Sequence, residues 1–348
     1  MTGMKNHLSN SRGSALIIVA GSLAAMIGLT ALVVDGGFGL ITRNELHNVA
    51  DAASLAGARK LGKIYEALSP SQQQTYTLTS TDRAVIIAYM NNVSTQNRAG
   101  GIPIPIPDNS SIVQIGHWSG TAFAERNSHP DAVHVTARRD ATSAGNGRLT
   151  TILAPVFGVG HLSVSVSSTA ALTAVKEIAA GQLNCPVGIP KGYAASGSGC
   201  KNLVFSGTGA CAGWHTYTSS PANANKLKNI LDQLRLNTFT IPAAKVGDVF
   251  YYNGGQLSSA FVNFQNLYNA KKNPTTGEWN TEIVVYDIDA CSTNPTGPVP
   301  IAGFVSATIT GIASGNLINA RINCDLIDPG PGGGGTVGDL GSIPSLVQ

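Results

Sequence analysis

The chain has 348 residues, enough for roughly two domains of about 150 residues each. Charged residues make up 12% of the chain and aromatic residues 6%, while 43% are hydrophobic and 40 are glycine. The low charge argues against a disordered protein, and a net charge of +3 argues against a nucleic-acid-binding protein, because phosphate recognition needs a dense basic face. The composition indicates a folded protein rich in small residues.

An uncharged segment lies near the start of the chain, at residues 14–34. As a helix rising 1.5 Å per residue it would span about 31 Å, close to the roughly 30 Å hydrocarbon core of a bilayer. Lys5 and Arg12 precede it and Asp35 ends it. The positive-inside rule therefore predicts a cytoplasmic segment at 1–13, a single transmembrane helix at 14–34 and the bulk of the chain on the outer side.

Two alternatives compete with the transmembrane helix. A cleaved signal peptide would have an apolar region of about 7–15 residues and a small-x-small cleavage site. The segment here is longer, and no clean Ala-x-Ala follows it. A buried core helix is the second alternative, although such helices rarely lack charge over this length.

All five cysteines lie beyond residue 180, on the predicted outer side, where an oxidising compartment allows disulfides. The disulfide candidates are Cys185, Cys200, Cys211, Cys291 and Cys324. We predict one bond within the first three and one between Cys291 and Cys324, and other pairings stay open. The odd number leaves at least one thiol free or paired with another chain.

The sequence at 35–62 predicts an exterior helical extension, because Ala, Leu, Glu, Arg and Lys dominate there. Small and apolar residues recur on one face at helical spacing, which lets a neighbouring helix or sheet approach closely. They are Leu46, Val49, Ala50, Ala53 and Gly57. The glycines at 36–39 predict a bend where the helix leaves the bilayer.

Small residues also recur within the membrane segment. Gly21 with Ala25, and Ala24 with Gly28, form small-xxx-small pairs, which are typical of helix–helix contacts in membranes. These residues are candidates for membrane anchoring and helix packing, including self-association.

Three short motifs in this region together resemble a known family. Arg12-Gly13 opens the apolar helix, Val-Asp-Gly-Gly closes it with Asp35 and Gly36, and Asn-x-x-Asp-Ala-Ala-x-Leu-Ala-Gly-Ala follows at 48–58. The residues of the third motif are Asn48, Asp51, Ala52, Ala53, Leu55 and Gly57. This pattern resembles the N-terminal segment of TadE/TadG-like proteins of the tight-adherence (Flp-type) pilus assembly system.

A weaker resemblance to the same family continues further along the chain. Gly116-His117-Trp118, followed by Phe123 and the stretch 131–139, is similar to the family's G-x-W and N-A-V-x-V-x-x-R stretch, with Asp131 where Asn is expected. The resemblance implies a bacterial, inner-membrane accessory protein whose bulk is periplasmic or extracellular and whose partners are the lipid bilayer and other pilus-assembly or pilin proteins.

Two departures from the family pattern limit what is carried over. Class III prepilins carry a Glu five residues after a cleaved Gly, but that position after Gly13 is Ile18. Some larger TadG-like proteins carry an Asp-x-Ser-x-Ser metal site, and the nearest sequence here, starting at Asp108, ends in Ile112. The first departure argues against prepilin processing without deciding whether the N-terminus is cut. From the second we predict no metal-dependent adhesion site of that type.

The exterior region predicts an α+β fold with two domains. The first, at 63–180, combines a helix at 80–94, an extended Ile-Pro connector at 100–109 and a short helix near Pro155 with three strands, at 111–118, 131–139 and 162–176. The second, at 181–327, is β-rich, contains the cysteines and includes an amphipathic helix at 224–236. The Gly-rich segment at 328–348 predicts a flexible tail.

The sequence contains no local catalytic or metal-binding motif. The seven histidines are scattered, and neither a G-x-S-x-G elbow nor a P-loop is present. We therefore predict no catalytic residues, no metal, no cofactor and no enzyme activity. The leading hypothesis is a non-enzymatic accessory protein of pilus assembly. The alternatives are a minor pilin or surface adhesin and a membrane-tethered hydrolase with a nucleophile and base brought together by folding.

Overall fold

The computed structural model describes most of the chain in two compact units, each built from separated segments. The described residues are 11–142, 146–194, 202–205, 213–254, 258–288, 296–313, 317–323, 326–334 and 338–348. The first unit comprises Met1–Ala53, Ile87–Val113 and Val135–Ser168, and the second comprises Ser54–Ile86, Gln114–His134 and Thr169–Gln348. The predicted domain boundaries stay a prediction.

The helices include the two that the sequence predicted most clearly. They are α1 (Ser11–Glu66), α2 (Pro70–Gln73), α3 (Ser80–Ser94), α4 (Lys191–Ala194), α5 (Ala224–Arg235) and α6 (Phe261–Lys271), with 3₁₀ helices at Ala154–Phe157 and Ser258–Ala260. The predictions at 80–94 and 224–236 correspond to α3 and α5. The start of α3 is capped by Thr79, whose Oγ1 accepts the Asp82 N–H at 3.1 Å, rather than by Ser80 or Thr81.

Helix α1 runs without interruption through the boundary predicted at residues 34 and 35. It is a single α-helix of 56 residues. The glycines at 36–39 do not interrupt it, because glycine lowers helix propensity without removing the backbone hydrogen bonds. The bend expected there stays a prediction.

The strands are mostly short and antiparallel. They are β1 (Arg98–Ala99), β2 (Ile102–Pro103), β3 (Val113–Trp118), β4 (Phe123–Glu125), β5 (Ala132–Arg139), β6 (Leu149–Thr150), β7 (His161–Leu162), β8 (Val164–Ala171), β9 (Glu177–Ile178), β10 (Val187–Pro190), β11 (Asn202–Phe205), β12 (Gly213–His215), β13 (Ala244–Lys245), β14 (Val249–Asn253), β15 (Trp279–Tyr286), β16 (Thr296–Ala313), β17 (Leu317–Ile322), β18 (Ile327–Pro331), β19 (Leu340–Ile343) and β20 (Ser345–Leu346).

A five-stranded sheet has the order β20-β8-β5-β3-β4. Its strands β3, β5 and β8 correspond to the three strands predicted at 111–118, 131–139 and 162–176. The Ile-Pro connector differs from a simple extended loop, since β1 and β2 form a short hairpin and Ile104 and Ile106 are buried.

The second unit contains a seven-stranded sheet of order β11-β17-β16-β14-β12-β10-β15. Because β15 also pairs with β16, the strands from β16 through β14, β12 and β10 to β15 form a closed ring. Strand β16 has 18 residues, and its first part pairs with β14 while its later part pairs with β15 and β17. Each strand of the ring therefore has a hydrogen-bonded neighbour on both sides, and the ring has no edge strand.

The core of the second unit joins this ring to α5 and α6. Helix α5 buries Leu227, Ile230, Leu231 and Leu234 on one face, as its period predicts. Helix α6 was not predicted, because the sequence of Phe261–Lys271 is rich in Asn and aromatic residues, which have modest helix propensity. Its Phe264 and Leu267 are fully buried in the same cluster. The α+β prediction is thus confirmed.

The described residues of the C-terminal segment are ordered into strands, so the flexible tail predicted at 328–348 is wrong for them. Strand β18 pairs with β19, and β20 pairs with β8. Asp339 and Ser342 are buried, and the Oδ2 of Asp339 accepts the Ser306 N–H at 2.6 Å. The glycines made the segment look flexible, whereas long-range pairing defines its conformation.

We expect Gly188→Ala to destabilise the second unit by about 1–3 kcal/mol, because overpacking forces neighbouring side chains to move. A Cβ at position 188 would lie 1.9 Å from Cε2 of Tyr286, a fully buried ring. Urea unfolding of the detergent-solubilised protein, followed by fluorescence, measures the change. Gly311→Ala is the matched control, since no atom lies within 4 Å of its added Cβ. Equal midpoints for the two variants would contradict the packing seen at Gly188.

Candidate functional site

The N-terminal part of α1 presents a long apolar surface. The stretch Ala15–Glu66 is, among the described residues, the one helix long and apolar enough to cross a membrane. Its large apolar side chains are exposed from Leu16, at 74%, to Ile41, at 59%. In a buried core helix, other parts of the same chain would cover such side chains. The alternative of a buried core helix is therefore wrong.

One face of α1 in the first unit is covered. Ala31, Asp35, Thr42, Leu46 and Val49 are all buried, and they recur at helical spacing. Asp35 was expected to end the apolar run. Instead its side chain points to the covered face, so that the exposed apolar surface continues beyond it.

A hairpin from β6 to β7, which we call the 149–162 hairpin, contacts this side of α1 around Asp35. A Cβ on Gly28 would lie 3.3 Å from Cζ of Phe157, and a Cβ on Gly39 would lie 3.4 Å from Cδ1 of Leu162. Because these two glycines have no side chain, the hairpin can approach the helix closely at both positions.

The carboxylate of Asp35 holds the hairpin through its backbone. Its Oδ1 accepts the N–H of Ile152 at 2.7 Å, and its Oδ2 accepts those of Leu153 at 3.0 Å and Ala154 at 2.6 Å. Asp35 is only 4% exposed. A buried carboxylate is costly unless it is hydrogen-bonded, and three charge-assisted bonds offset that cost.

A second polar contact in the first unit lies further along α1. Glu45 accepts the Gly100 N–H at 2.7 Å, and the buried guanidinium of Arg139 donates to the carbonyls of Ala99 at 2.7 Å and Gly147 at 2.9 Å. Burial lowers the pKa of Arg139 from its ordinary value. Arg139 thus ties β1 to the segment just before β6 through their carbonyl groups.

The end of α1 in the second unit packs on strand β19. A Cβ on Gly62 would lie 2.2 Å from the Ser342 carbonyl oxygen, so only glycine allows this approach. Arg59 donates to the same oxygen at 2.8 Å and to Glu66 at 3.0 Å, while the Ser342 hydroxyl donates to Glu66 at 2.6 Å.

The pKa of Glu66 reflects this network. Partial burial raises it, but hydrogen bonds from Lys63, Ser342 and Arg59 outweigh burial and lower the pKa to about 2. The ionised carboxylate therefore stabilises the contact between the helix end and β19.

The weaker family-like stretch forms a compact polar contact in the second unit. Asp131 Oδ2 lies 2.5 Å from His117 Nδ1, and its Oδ1 accepts the Trp118 N–H at 2.8 Å. Burial raises the pKa of Asp131, against the lowering effect of these hydrogen bonds and of Arg126. Asp131 thereby joins β3 to the start of β5. This structural role requires only that its side chain accept hydrogen bonds.

A cavity of about 570 Å³ lies beside this contact. Its lining includes His117, Arg126, Asp131 and Asp339. Its polar side chains make structural hydrogen bonds, including Asp339 to Ser306 and Asp131 to Trp118.

Other reactive side chains of the second unit serve the core. Burial lowers the pKa of His215 to about 3, so this histidine is neutral and packs between Tyr217 and Phe250. Cys185 is a buried free thiol whose pKa is raised by burial. No group of three potential metal ligands occurs among the residues that the structure describes.

The finding on Cys185 corrects the list of disulfide candidates. Since Cys185 is a free thiol, the bond predicted within the first three cysteines reduces to Cys200 with Cys211. These two, together with Cys291 and Cys324, lie outside the described residues, so both bonds stay predictions.

The small residues predicted to pack helices behave differently from one another. Gly28 is covered by Phe157, whereas no atom lies within 4 Å of a Cβ built on Gly21. Ala24 and Ala25 are exposed. The pair Gly21 and Ala25 therefore remains open to a partner, while part of the Ala24 and Gly28 pair is used within the chain.

The family-like residues divide between buried and exposed positions. Ala53 and Gly57 are buried, Ala52, Leu55 and Gly36 are partly buried, and Asn48 is exposed. Asp51 is partly buried. Arg12 and Gly13 lie in the first turn of α1.

Sequence reasoning missed the 149–162 hairpin as a part of the site. It predicted a short helix near Pro155, and the structure has a 3₁₀ helix at Ala154–Phe157. The available signal was the absence of Asp, Glu, Lys and Arg throughout 149–175. That uncharged stretch is longer than the one at 14–34 that marked the membrane segment.

We expect Asp35→Ala to release the hairpin, because three backbone donors lose their acceptor. Each lost bond costs about 1–3 kcal/mol when its donor stays buried, and about 1.4 kcal/mol corresponds to tenfold. Hydrogen exchange of the Ile152–Ala154 amides in detergent should accelerate at least about tenfold. Asp35→Asn, which keeps one acceptor oxygen, should give a smaller change.

The Ile106 amide serves as the internal control for this experiment. It donates to Asn91 Oδ1 at 3.0 Å in the same unit, away from Asp35 in sequence. Its exchange should stay unchanged in both variants. Unchanged exchange at all four amides would contradict the role of Asp35.

We expect Glu66→Gln to lower the free energy of unfolding in a pH-dependent way. Because the folded-state pKa of Glu66 is about 2 against an ordinary 4.5, its stabilisation is full above about pH 5 and disappears as pH falls towards 2. The expected difference is about 1–3 kcal/mol at neutral pH. Denaturant unfolding of both proteins across this pH range measures it, and a difference independent of pH would count against the ionised network.

Comparison with known proteins places α1 in a family context. Residues 13–60 match the family model described as "Putative Flp pilus-assembly TadE/G-like". No curated protein and no solved structure matches this chain. The match covers both the apolar stretch and the segment from Asn48, which confirms the first resemblance, while the resemblance at 116–139 stays a prediction. The N-terminal helix of this chain is therefore a TadE/G-like segment.

Proposed function

We propose that this chain is a membrane-anchored, non-enzymatic accessory protein of Flp/Tad-type pilus assembly. One observation carries the proposal: the TadE/G-like match at 13–60 coincides with a helix whose apolar side chains are exposed from Leu16 to Ile41. An exposed apolar helix of this length is stable in a bilayer and costly in water.

The proposed orientation follows from charge. Lys5 and Arg12 precede the apolar stretch, so the N-terminus lies in the cytoplasm and the remainder of the chain lies in the periplasm or outside the cell. The inner membrane is the proposed location, because a single apolar helix spans that bilayer. The five cysteines beyond residue 180 then lie in an oxidising compartment.

The non-enzymatic role is supported by the partners of the histidines. His117 contacts Asp131, His129 contacts the Gln74 carbonyl and His134 contacts the Thr169 hydroxyl. His215 is neutral and buried in the aromatic core. These contacts hold strands and turns together, which gives each of these four histidines a structural role.

The proposed partners are other assembly proteins or pilins and the lipid bilayer. Within the membrane, the open pair Gly21 and Ala25 offers a close-packing surface for a partner helix or a second copy. Gly28 does not contribute to that surface, since Phe157 covers it.

A minor pilin or surface adhesin is the second candidate, favoured by the uninterrupted length of α1. Such a subunit would transfer α1 from the bilayer into a filament core. The contact between Phe157 and Gly28 weighs against this, because a filament neighbour would compete with the hairpin for the same face.

Cell fractionation tests the proposal. Deletion of the coding gene should reduce surface pili, and the complementing protein should appear in the inner membrane and resist carbonate extraction. A variant with Leu23→Asp and Leu29→Asp should lose both properties, since each charge near the centre of a membrane helix costs about 2.5–3.5 kcal/mol.

Leu23→Ile with Leu29→Ile is the matched control and should behave as the natural protein. Normal piliation after deletion would contradict a role in assembly. Recovery of the protein in sheared filaments would instead favour the minor pilin.

A further inference from the structure

The tip of the 149–162 hairpin exposes an unusual concentration of apolar side chains. Ile152 is 67% exposed, Val156 72%, Phe157 51% and Val159 46%. Exposing these apolar side chains to water is unfavourable. A contiguous exposed apolar patch of this kind marks an interaction site. The neighbouring surface is the exposed apolar face of α1.

The position of the contact on α1 gives the depth of the tip. Phe157 lies against Gly28, which is about 10 Å from Asp35 along the helix axis at 1.5 Å per residue. Exposed apolar side chains of α1 continue on the outer side to Ile41, about 20 Å from Gly28. Wherever between Asp35 and Ile41 the hydrocarbon boundary falls, Phe157 lies well inside it.

Backbone N–H groups at the tip of the hairpin have hydrogen-bond acceptors within the protein. The N–H groups of Ile152, Leu153 and Ala154 donate to Asp35. Further N–H groups donate to carbonyl oxygens of the hairpin itself; they are those of Thr151, Val156, Gly158 and Val159. No water is available in the hydrocarbon region, so irregular backbone there needs partners within the protein for its polar groups, and these seven N–H groups have them.

The scarcity of charged residues in the hairpin and in the adjacent part of α1 also favours a location within the bilayer. No Asp, Glu, Lys or Arg occurs from residue 149 to residue 175. Asp35 is the only charged residue between 13 and 42, and its carboxylate is enclosed by the backbone that it binds. Arg148, at the root of the hairpin, and Arg43, on α1, are exposed and mark the polar side.

We propose that the 149–162 hairpin inserts into the lipid bilayer beside α1, so that the membrane anchor consists of a helix and a re-entrant hairpin joined by Asp35. The occupant of the exposed apolar patch is the acyl-chain region of the bilayer. The inference rests on the membrane anchoring of α1 proposed above, and it adds a second membrane-contacting element that is more than a hundred residues away in the chain.

Tryptophan quenching in proteoliposomes tests this insertion. The full chain carrying Phe157→Trp is reconstituted into phosphatidylcholine–phosphatidylglycerol vesicles, with and without lipids brominated on the acyl chains. The added tryptophan should lose most of its emission to the brominated lipids and should be protected from aqueous acrylamide. The natural protein, with its own tryptophans, gives the background to subtract.

Two further variants make the result decisive. Val156→Trp repeats the test at a side chain that is more exposed than Phe157, in case the larger ring disturbs the contact with Gly28. Leu23→Trp reports on α1 alone. Far-UV circular dichroism confirms that each variant is folded.

The outcomes separate the two proposals. Quenching of the Leu23→Trp variant together with both hairpin variants supports the inserted hairpin. Quenching of the Leu23→Trp variant alone, with the hairpin tryptophans open to acrylamide, overturns the hairpin and leaves the anchor. If none of the three is quenched, both the hairpin and the membrane anchoring are overturned.

Discussion

The hydrogen bonds from the backbone N–H groups of Ile152, Leu153 and Ala154 to the Asp35 carboxylate are the interaction on which the first unit depends. A carboxylate on an apolar helix is costly, and so are unpaired N–H groups in an apolar loop. The three bonds offset both costs, because the N–H groups stabilise the negative charge and the carboxylate gives each N–H a strong acceptor. The N–H groups of Ile152, Leu153 and Ala154 are therefore satisfied where the apolar tip lies along the helix.

The glycines of α1 divide into positions that pack closely against the chain and positions that are open. Gly28 and Gly39 lie on the face that the hairpin contacts, and Gly62 allows the Ser342 backbone to approach in the second unit. Gly21 and Gly36 have no neighbour within 4 Å of an added Cβ. Along α1, glycines thus serve contacts within the chain at some positions and leave others open to a partner.

Much of the local structure was predictable from particular residues. The alternation of apolar and polar residues placed β5 at Ala132–Arg139, and the period of 224–236 identified the buried face of α5. Local signals failed where a distant partner decides the structure. The C-terminal segment looked flexible because of its glycines, yet β20 pairs with β8, and α6 forms in the second unit because its Phe264 and Leu267 are buried there.

The sequence by itself determined the long apolar helix and its family-like motifs, because hydropathy and short motifs are properties of neighbouring residues. Only the tertiary structure decided what Asp35 does: its partners are more than a hundred positions away, at residues 152–154. It likewise decided the contact of Arg59 with Ser342, 283 residues apart. A hydrogen bond between distant residues leaves no periodic pattern in a single sequence, so its partners are known only once the chain has folded.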